Sequence, residues 1–423
     1  MSPLPESKDL RRWLDRLEQM QPDRIELGLE RMTRVAATCE LLNPSFRIIT
    51  VAGTNGKGST VAYTANILMN SAMRVGIYTS PHFIEFNERI VIDQQRIDDA
   101  LLCEAFALID ARRNGTELTY FEFTTLAAMV AFCRAEVDVA VLEVGLGGRL
   151  DAVNTWDCDV GCVTSIGIDH IDWLGDDRES IGREKAGIAR AGKALICGDA
   201  NPPSTIALVA AEVGAVLLET GHDFHYRCDD AGWQYRGPHA SVELPLPQIT
   251  GEWAVGNASV AITACAELLN RLPDTCAVTR ALQSVSVPGR MQQLHYRGVP
   301  MLLDVAHNPQ AAAALARHLQ QQPQHTVAVF SCMQDKDAGA VIAELAEQIH
   351  QWQVVQLDYP RAIDAQLLLE MINKQSPAGA EVFTSVIQAV ESAVAQSTVE
   401  SRIVVFGSFH VVGPVLELLE SSQ

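Results

Sequence analysis

An α/β fold in two parts, each a largely parallel sheet wrapped by helices, is what this sequence predicts, and three observations predict it. Short apolar runs rich in Val, Ile and Thr alternate with segments of helical spacing along most of the chain. One strand-to-helix passage, "RIITVAGTNGKGSTVAYTANIL" over residues 47–68, packs three glycines, a lysine and a hydroxyl into its turn. After an irregular stretch the alternation restarts near Pro300 and runs to the end, as in a compact, doubly wound Rossmann-like domain. At 423 residues, 48% hydrophobic and 20% charged, the chain is long for one core and suits two domains.

The opening segment "MSPLPESKDLRRWLDRLEQM" lacks the apolar core of a secretory signal. Arg47 to Ala52 then reads as a buried strand and Thr60 to Met69 as a helix, so Gly53, Gly56 and Gly58 fall in the turn between them. Glycine there lets successive N–H groups close on an anion at the positive end of the helix dipole. Lys57 adds a full charge and Ser59 an oxygen for magnesium. The spelling departs from G-x-x-x-x-G-K-[ST], because Val51 stands at the first glycine and Gly58 separates lysine from serine. The turn is expected to hold a nucleoside triphosphate through a related loop. The alternative is a tight βα turn with an incidental lysine.

Next come a strand in "RVGIYTS", helices around Ile97 to Asp110 and Phe121 to Ala135, and the strands "DVAVLEVG" and "DVGCVTSI". Glu143 lies near a strand's carboxyl end, where open α/β sheets bind ligands. With Ser59 it makes a partial oxygen shell for a nucleotide-bound Mg2+, unless it is a buried, paired carboxylate. Asp151 is either a helix cap or a ligand contact. Asp169, His170 and Asp172 follow another strand, and His170 is either a site residue or a hydrogen-bonded core histidine. Lys185 falls on a helix expected from near Arg178, and in isolation reads as a solvated lysine or ion-pair partner.

Polar sequence from Gly221 to Gly251 reads as irregular and "SVPGRMQ" as a linker. The expected division is a first domain over 1–287, a linker over 288–298 and a second domain over 299–423. In the latter, "LLDVAHNP" brings Asp304, His307 and Asn308 to a strand end. Asp304 can fix a ribose, and His307 and Asn308 can face reacting groups across a cleft. Asn308 can equally cap a helix starting at Pro309. "GSFHVVG", Gly407 to Gly413, repeats the strand-glycine-helix device, with a structural role the simpler reading. No G-x-G-x-x-G accompanies these strands, so dinucleotide binding is not supported.

A formal charge of -20 without any basic run argues against a nucleic-acid or anionic-membrane partner. A nucleotide is also an anion, but charges beyond roughly 8 Å are screened at physiological salt, so the local donors decide its binding. Ten cysteines without a C-x-x-C pair signal neither a zinc site nor a disulfide framework. No apolar run is long enough to span a bilayer, and a cytoplasmic protein is expected.

"GTNGKGS", "TSPHF", "NERI", "TYFEFTTLAA", "LEVGLGGRLDA", "TSIGIDH", "DWLG", "REKAGI", "PGR", "DVAHNP" and "GSFH", in this order, resemble the Mur ligase superfamily and within it the folylpolyglutamate synthase family. The likeness covers nearly the whole chain. Val153 departs from it where threonine is common, and Ser331 where glycine is frequent. The resemblance implies an N-terminal P-loop ATPase domain of Mur-ligase type and a C-terminal Rossmann-like doubly wound domain that closes on it. It assigns the ATP phosphates to Thr54, Asn55, Gly56, Lys57, Gly58 and Ser59, and further nucleotide contacts to Asn257, Arg290 and Asp304. A first Mg2+ would be held by Ser59, Ser80 and Glu143 and a second by His170, with K+ a further candidate cofactor. Lys185 aligns with a lysine that the family carbamylates, and Lys57, His170 and Lys185 form the implied catalytic set. Glu26, Leu27, Gly28 and Leu29 match a segment around a pterin substrate. So do Thr119, Tyr120, Phe121 and Glu122, and Leu150, Asp151 and Ala152; His307 also falls to substrate. The implied reaction activates a carboxylate as an acyl phosphate with ATP and joins it to L-glutamate, the acceptors being 7,8-dihydropteroate and tetrahydrofolates. A monomer is implied. Folylpolyglutamate synthesis alone, another Mur-type amino-acid ligase and a P-loop switch without ligase activity are the alternatives.

Overall fold

The computed structural model describes residues 9–20, 26–229, 232–398 and 400–421, so the first eight residues of the opening segment lie outside the described residues. The N-terminal domain is built on an eight-stranded sheet. Across the sheet run Gln95–Arg96, Ile90–Ile92, Val75–Tyr78, Val139–Glu143, Arg47–Ala52, Val160–Val163, Ala194–Cys197 and Val216–Glu219. The first two strands are antiparallel additions at one edge, and the remainder are parallel. The strand Arg47–Ala52 lies between Val139–Glu143 and Val160–Val163, with Val51 in register with both Glu143 and Cys162. Successive crossovers leave on opposite sides of this central strand, which opens a crevice at its carboxyl end.

The helix after that strand spans Lys57–Asn70, starting earlier than its apolar spacing suggests. It packs against the helix Ala254–Leu269 through Tyr63, Ile67, Ala258 and Ile262, all fully buried. Each large apolar side chain buried in this way contributes about 1.5–3 kcal/mol. The turn is thus braced from behind by a helix about two hundred residues away in sequence. The helices Asp99–Arg112, Tyr120–Arg134 and Arg178–Ala186 begin on Asp98, Thr119 and Asp177, each accepting a backbone N–H with its side chain.

The stretch expected to be irregular contains a three-stranded antiparallel sheet, His225–Cys228, Trp233–Arg236 and Ser241–Leu244. Its middle strand alternates buried Trp233 and Tyr235 with exposed Gln234 and Arg236, too short a period-two pattern to stand out. Tyr235 Oη meets Thr263 Oγ1 at 2.9 Å, docking the sheet on the bracing helix. Residues 292–296, within the stretch expected as linker, form an antiparallel edge strand paired with Val299–Leu303.

The C-terminal domain is a six-stranded sheet, ordered Gln292–Tyr296, Val299–Leu303, Ser401–Phe406, His325–Phe330, Gln351–Val355 and Gly379–Phe383. All but the first strand are parallel. Its layers are filled by Phe330, Trp352 and Phe406 on one face and Val327, Val405 and Val415 on the other. Among the described residues no helix is long and apolar enough to cross a membrane.

Candidate active site

The two sheets bring strand ends to a common cleft of about 1060 Å³, whose walls include Lys57, Glu143 and Lys185 from one domain and Arg290, Asp304 and Lys336 from the other. On the N-terminal side Gly56 has φ +89°, and a Cβ there would come 2.5 Å from Asn257 Oδ1, so this position requires glycine twice over. No side chain caps the helix Lys57–Asn70, leaving its first N–H groups available to an anion. Lys57 Nζ donates to the carbonyls of Gly53 (3.0 Å) and Thr54 (3.2 Å) and folds back over the turn. The turn is tied to the strand Val160–Val163 side of the sheet: Thr54 N–H donates to Ser165 O at 2.7 Å, and Thr164 Oγ1 to Asn55 O at 2.6 Å.

Glu143 is buried and accepts the Ser80 N–H at a long 3.4 Å, with no ion-pair partner within bonding distance among the described residues. Burial raises its pKa, against the pull of Lys57 and Arg290. Such a carboxylate lacks a close cation. Buried Ser59 and nearby Ser80 supply further hard oxygens, so the donor set fits Mg2+ completed by phosphate and water oxygens. Among the described residues no group of three His, Cys, Asp or Glu side chains forms a metal cluster of its own.

Lys185 departs from both readings of it in isolation. It is only 4% exposed and makes no ion pair among the described residues. Burial, reinforced by Lys57 and partly opposed by Asp169 and Asp151, lowers its pKa to about 7. A neutral amine is therefore available near pH 7.

Across the cleft, Asp169 organises the domain contact. Its Oδ1 lies 2.6 Å from Lys336 Nζ, and its Oδ2 lies 3.3 Å from both His307 Nε2 and the donating Asn308 Nδ2. Burial opposes ionisation, but His307 and Lys336 outweigh it and hold this carboxyl well below the usual range. Asn55 and Asn308 exchange amide hydrogen bonds at 3.2 and 3.1 Å, while Asn308 Oδ1 caps the helix Pro309–Gln321, so the cap reading of Asn308 holds and its amide also ties the two domains together. His170 has positive φ, its Nε2 is 3.3 Å from Lys336 Nζ, and burial, reinforced by Lys336, lowers its pKa to about 4. Asp304 accepts the N–H groups of Met291 and Ala306, both at 2.8 Å, and Arg290 stacks on Phe409.

The chain matches the Mur ligase middle domain over residues 51–265 and the Mur ligase glutamate ligase domain over 289–409. The dihydrofolate synthase/folylpolyglutamate synthase of Escherichia coli K12 is 40% identical over 97% of this chain and 96% of its own. The chain belongs to the dihydrofolate synthase/folylpolyglutamate synthase family of Mur ligases. Structures of E. coli FolC with DHPP and ADP (TM-score 0.94, 40% identity, all of both chains) and of the Yersinia pestis bifunctional enzyme with AMPPNP and Mn (TM-score 0.91, 40% identity, 99% and 100% covered) resemble it along their lengths.

In this Mur ligase the three segments matched to a pterin substrate meet one another. Arg31 Nε donates to both Glu122 oxygens at 2.7 and 2.8 Å, Arg31 Nη1 pairs with Glu26, and Gly28 N–H donates to Leu150 O at 3.4 Å. Thr119 and Glu122 form a reciprocal capping box, and Phe121 packs against Gly145. Of this group Tyr120 lines the cleft. Leu27 and Leu29 are partly buried, and Ala152 is buried beside Asp151. Both oxygens of Asp151 are engaged by backbone, accepting Leu146 N–H at 2.8 Å and Val153 N–H at 3.0 Å, which is cap geometry; burial raises its pKa to about 6. Sequence reasoning missed Lys336, Arg89 and His82, which also line the cleft. Lys336 follows the strand His325–Phe330, and its place beyond a parallel strand's carboxyl end was the available signal.

Proposed function

We propose that this chain is an ATP-dependent ligase of folate synthesis, joining L-glutamate to 7,8-dihydropteroate and, in a second reaction, to the glutamate end of tetrahydrofolates. The observation that carries the reading is the convergence of the phosphate-binding turn, Glu143 and neutral-prone Lys185 in one cleft, opposite His307 and Lys336, in a family that combines these two activities.

In the first step the acceptor carboxylate attacks the γ-phosphorus, the bond to ADP breaks and an acyl phosphate forms. The amino group of glutamate then attacks the acyl carbon, and phosphate leaves. Two anions must approach, so positive charge rather than a covalent nucleophile is the main requirement. The N–H groups from Thr54 to Ser59 cradle the phosphates, and Lys57 leaves the carbonyls of Gly53 and Thr54 for them. Asn257, Arg290 and Asp304 hold the nucleoside end. Ser59, Ser80 and Glu143 would hold one Mg2+, and His170 a second once Lys336 releases its Nε2. Bound there, Mg2+ neutralises phosphate charge. The neutral Lys185 amine adds to CO2, its nitrogen bonding carbon as a proton leaves, and becomes an anionic carbamate. The Glu26–Leu29, Thr119–Glu122 and Leu150–Ala152 group borders the pterin.

ADP release is measured with ATP, dihydropteroate and glutamate, each omitted in turn, and again with tetrahydrofolate. Release that requires every component is expected. Release indifferent to glutamate would sink ligation, and activity with tetrahydrofolate alone would reduce the function to folylpolyglutamate synthesis. The free state of all ten cysteines supports a cytoplasmic location, which fractionation of cells tests.

A further inference from the structure

Arg89 is 9% exposed yet forms no ion pair among the described residues. It ends the short turn Phe86–Arg89, and its carbonyl accepts the Thr79 N–H at 2.9 Å, which sets its backbone beside Ser80. Its Nε donates to His82 Nδ1 at 2.8 Å, and its guanidinium lies over the rings of Phe86 and Tyr120, 5.5 Å from each centroid. The two Nη groups have no protein acceptor among the described residues, and the side chain lines the cleft. These N–H groups therefore stand open to a ligand in the cleft. A planar guanidinium fixed by two aromatic faces, with paired N–H groups to spare, matches a carboxylate.

The position narrows the choice. One partner, Thr79, adjoins Ser80 of the Glu143 group, and another, Tyr120, belongs to the pterin-side segment. A substrate running from pterin to reacting carboxylate must pass between them. We propose that Arg89 is the carboxylate-recognition residue for the pterin-bearing substrate. This rests on the function proposed above. Dihydropteroate offers only its reacting carboxylate, whereas tetrahydrofolate also carries the α-carboxylate of its glutamate. Holding the α-carboxylate presents the side-chain carboxylate to ATP and selects that linkage; holding the reacting one serves both substrates.

Arg89→Met removes the charge but keeps a long apolar chain between the rings, and Arg89→Lys keeps the charge without the fork. In the full-length protein, Arg89→Met should raise KM for tetrahydrofolate at least about tenfold and leave KM for ATP within about twofold, with only partial recovery in Arg89→Lys. A rise for tetrahydrofolate alone assigns the α-carboxylate, and a rise for dihydropteroate as well assigns the reacting one. Unchanged pterin KM values, or a melting temperature that falls without them, overturn the proposal in favour of a packing role. If Arg89→Met does not fold, Arg89→Lys is judged by the same pterin KM criterion. If the unmodified protein turns over neither substrate, the proposed function fails. Equilibrium binding of tetrahydrofolate and of pteroate to unmodified and variant protein then judges Arg89, and a Kd unchanged for both overturns it.

Discussion

Lys57 and Lys185 are two lysines of one cleft with opposite tasks, and their surroundings set them apart. Lys57 already turns its ammonium toward oxygens of its own loop, where phosphate oxygens would replace them. A unit charge at 4 Å is worth about 4 kcal/mol at an effective dielectric near 20, so Lys57→Ala should lower kcat by about a thousandfold. Steady-state ADP release checks this, with the melting temperature expected to stay near that of the unmodified chain. Lys185 has no such partner, and burial brings its pKa from 10.5 to about 7. Between those values the unfolded chain holds a proton that the folded chain lacks, so stability rises with pH across this window and the cost is fully present below it. In CO2-free buffer, melting curves of the unmodified chain and Lys185→Met should therefore differ in favour of the variant at pH 6 and converge as pH rises past 7. A pH-independent difference would contradict the unpaired, buried amine. Labelled bicarbonate should add a carbamate carbon signal that the variant lacks.

At the scale of elements, the phosphate-binding turn works because three separate segments close on it. The central strand supplies its entry, the loop after Val160–Val163 holds it through Thr164 and Ser165, and Asn257 of the bracing helix stands against Gly56. Gly56→Ala meets both a positive φ and Asn257 Oδ1, so it should cost about 1–3 kcal/mol of stability and weaken ATP binding at least about tenfold. Gly192→Ala is the control, since it has φ +69° but open space around the added methyl. It should lower the melting temperature slightly and leave nucleotide affinity unchanged in a titration. Equal loss of affinity in both variants would mean that general softening, not the turn, controls binding.

For the whole molecule, the site is completed by the fit of one domain on the other. Lys336 and Asp169 are each 8% exposed at their side chains and pair across the cleft at 2.6 Å, with His307 and the Asn55–Asn308 exchange beside them. Removing one member of a buried pair strands the other charge, at about 3–5 kcal/mol. Lys336→Met should therefore populate an open arrangement, seen as an expanded envelope in small-angle scattering, and depress kcat. An unchanged envelope with a lowered melting temperature would show that the contact is static cement.

The strand-turn-helix carrying Lys57 and Ser59 is legible in the sequence because its chemistry and periodicity lie within about twenty consecutive residues, and the landmarks placed both domains in order. The helix from Arg178 and the strand ends bearing Glu143 and Asp304 are equally local properties. The three-stranded sheet was not legible, since only Trp233 and Tyr235 carry its alternation and their burial depends on the helix Ala254–Leu269. Nor was the state of Lys185, because burial is a property of what packs around a residue. Lys336 lies 167 residues from Asp169, and only the closure of one sheet on the other makes them a pair. Local pattern thus determined the elements and the phosphate-binding turn. Burial and long-range pairing, which arise only when distant segments share one low-dielectric cleft, were decided by the tertiary structure.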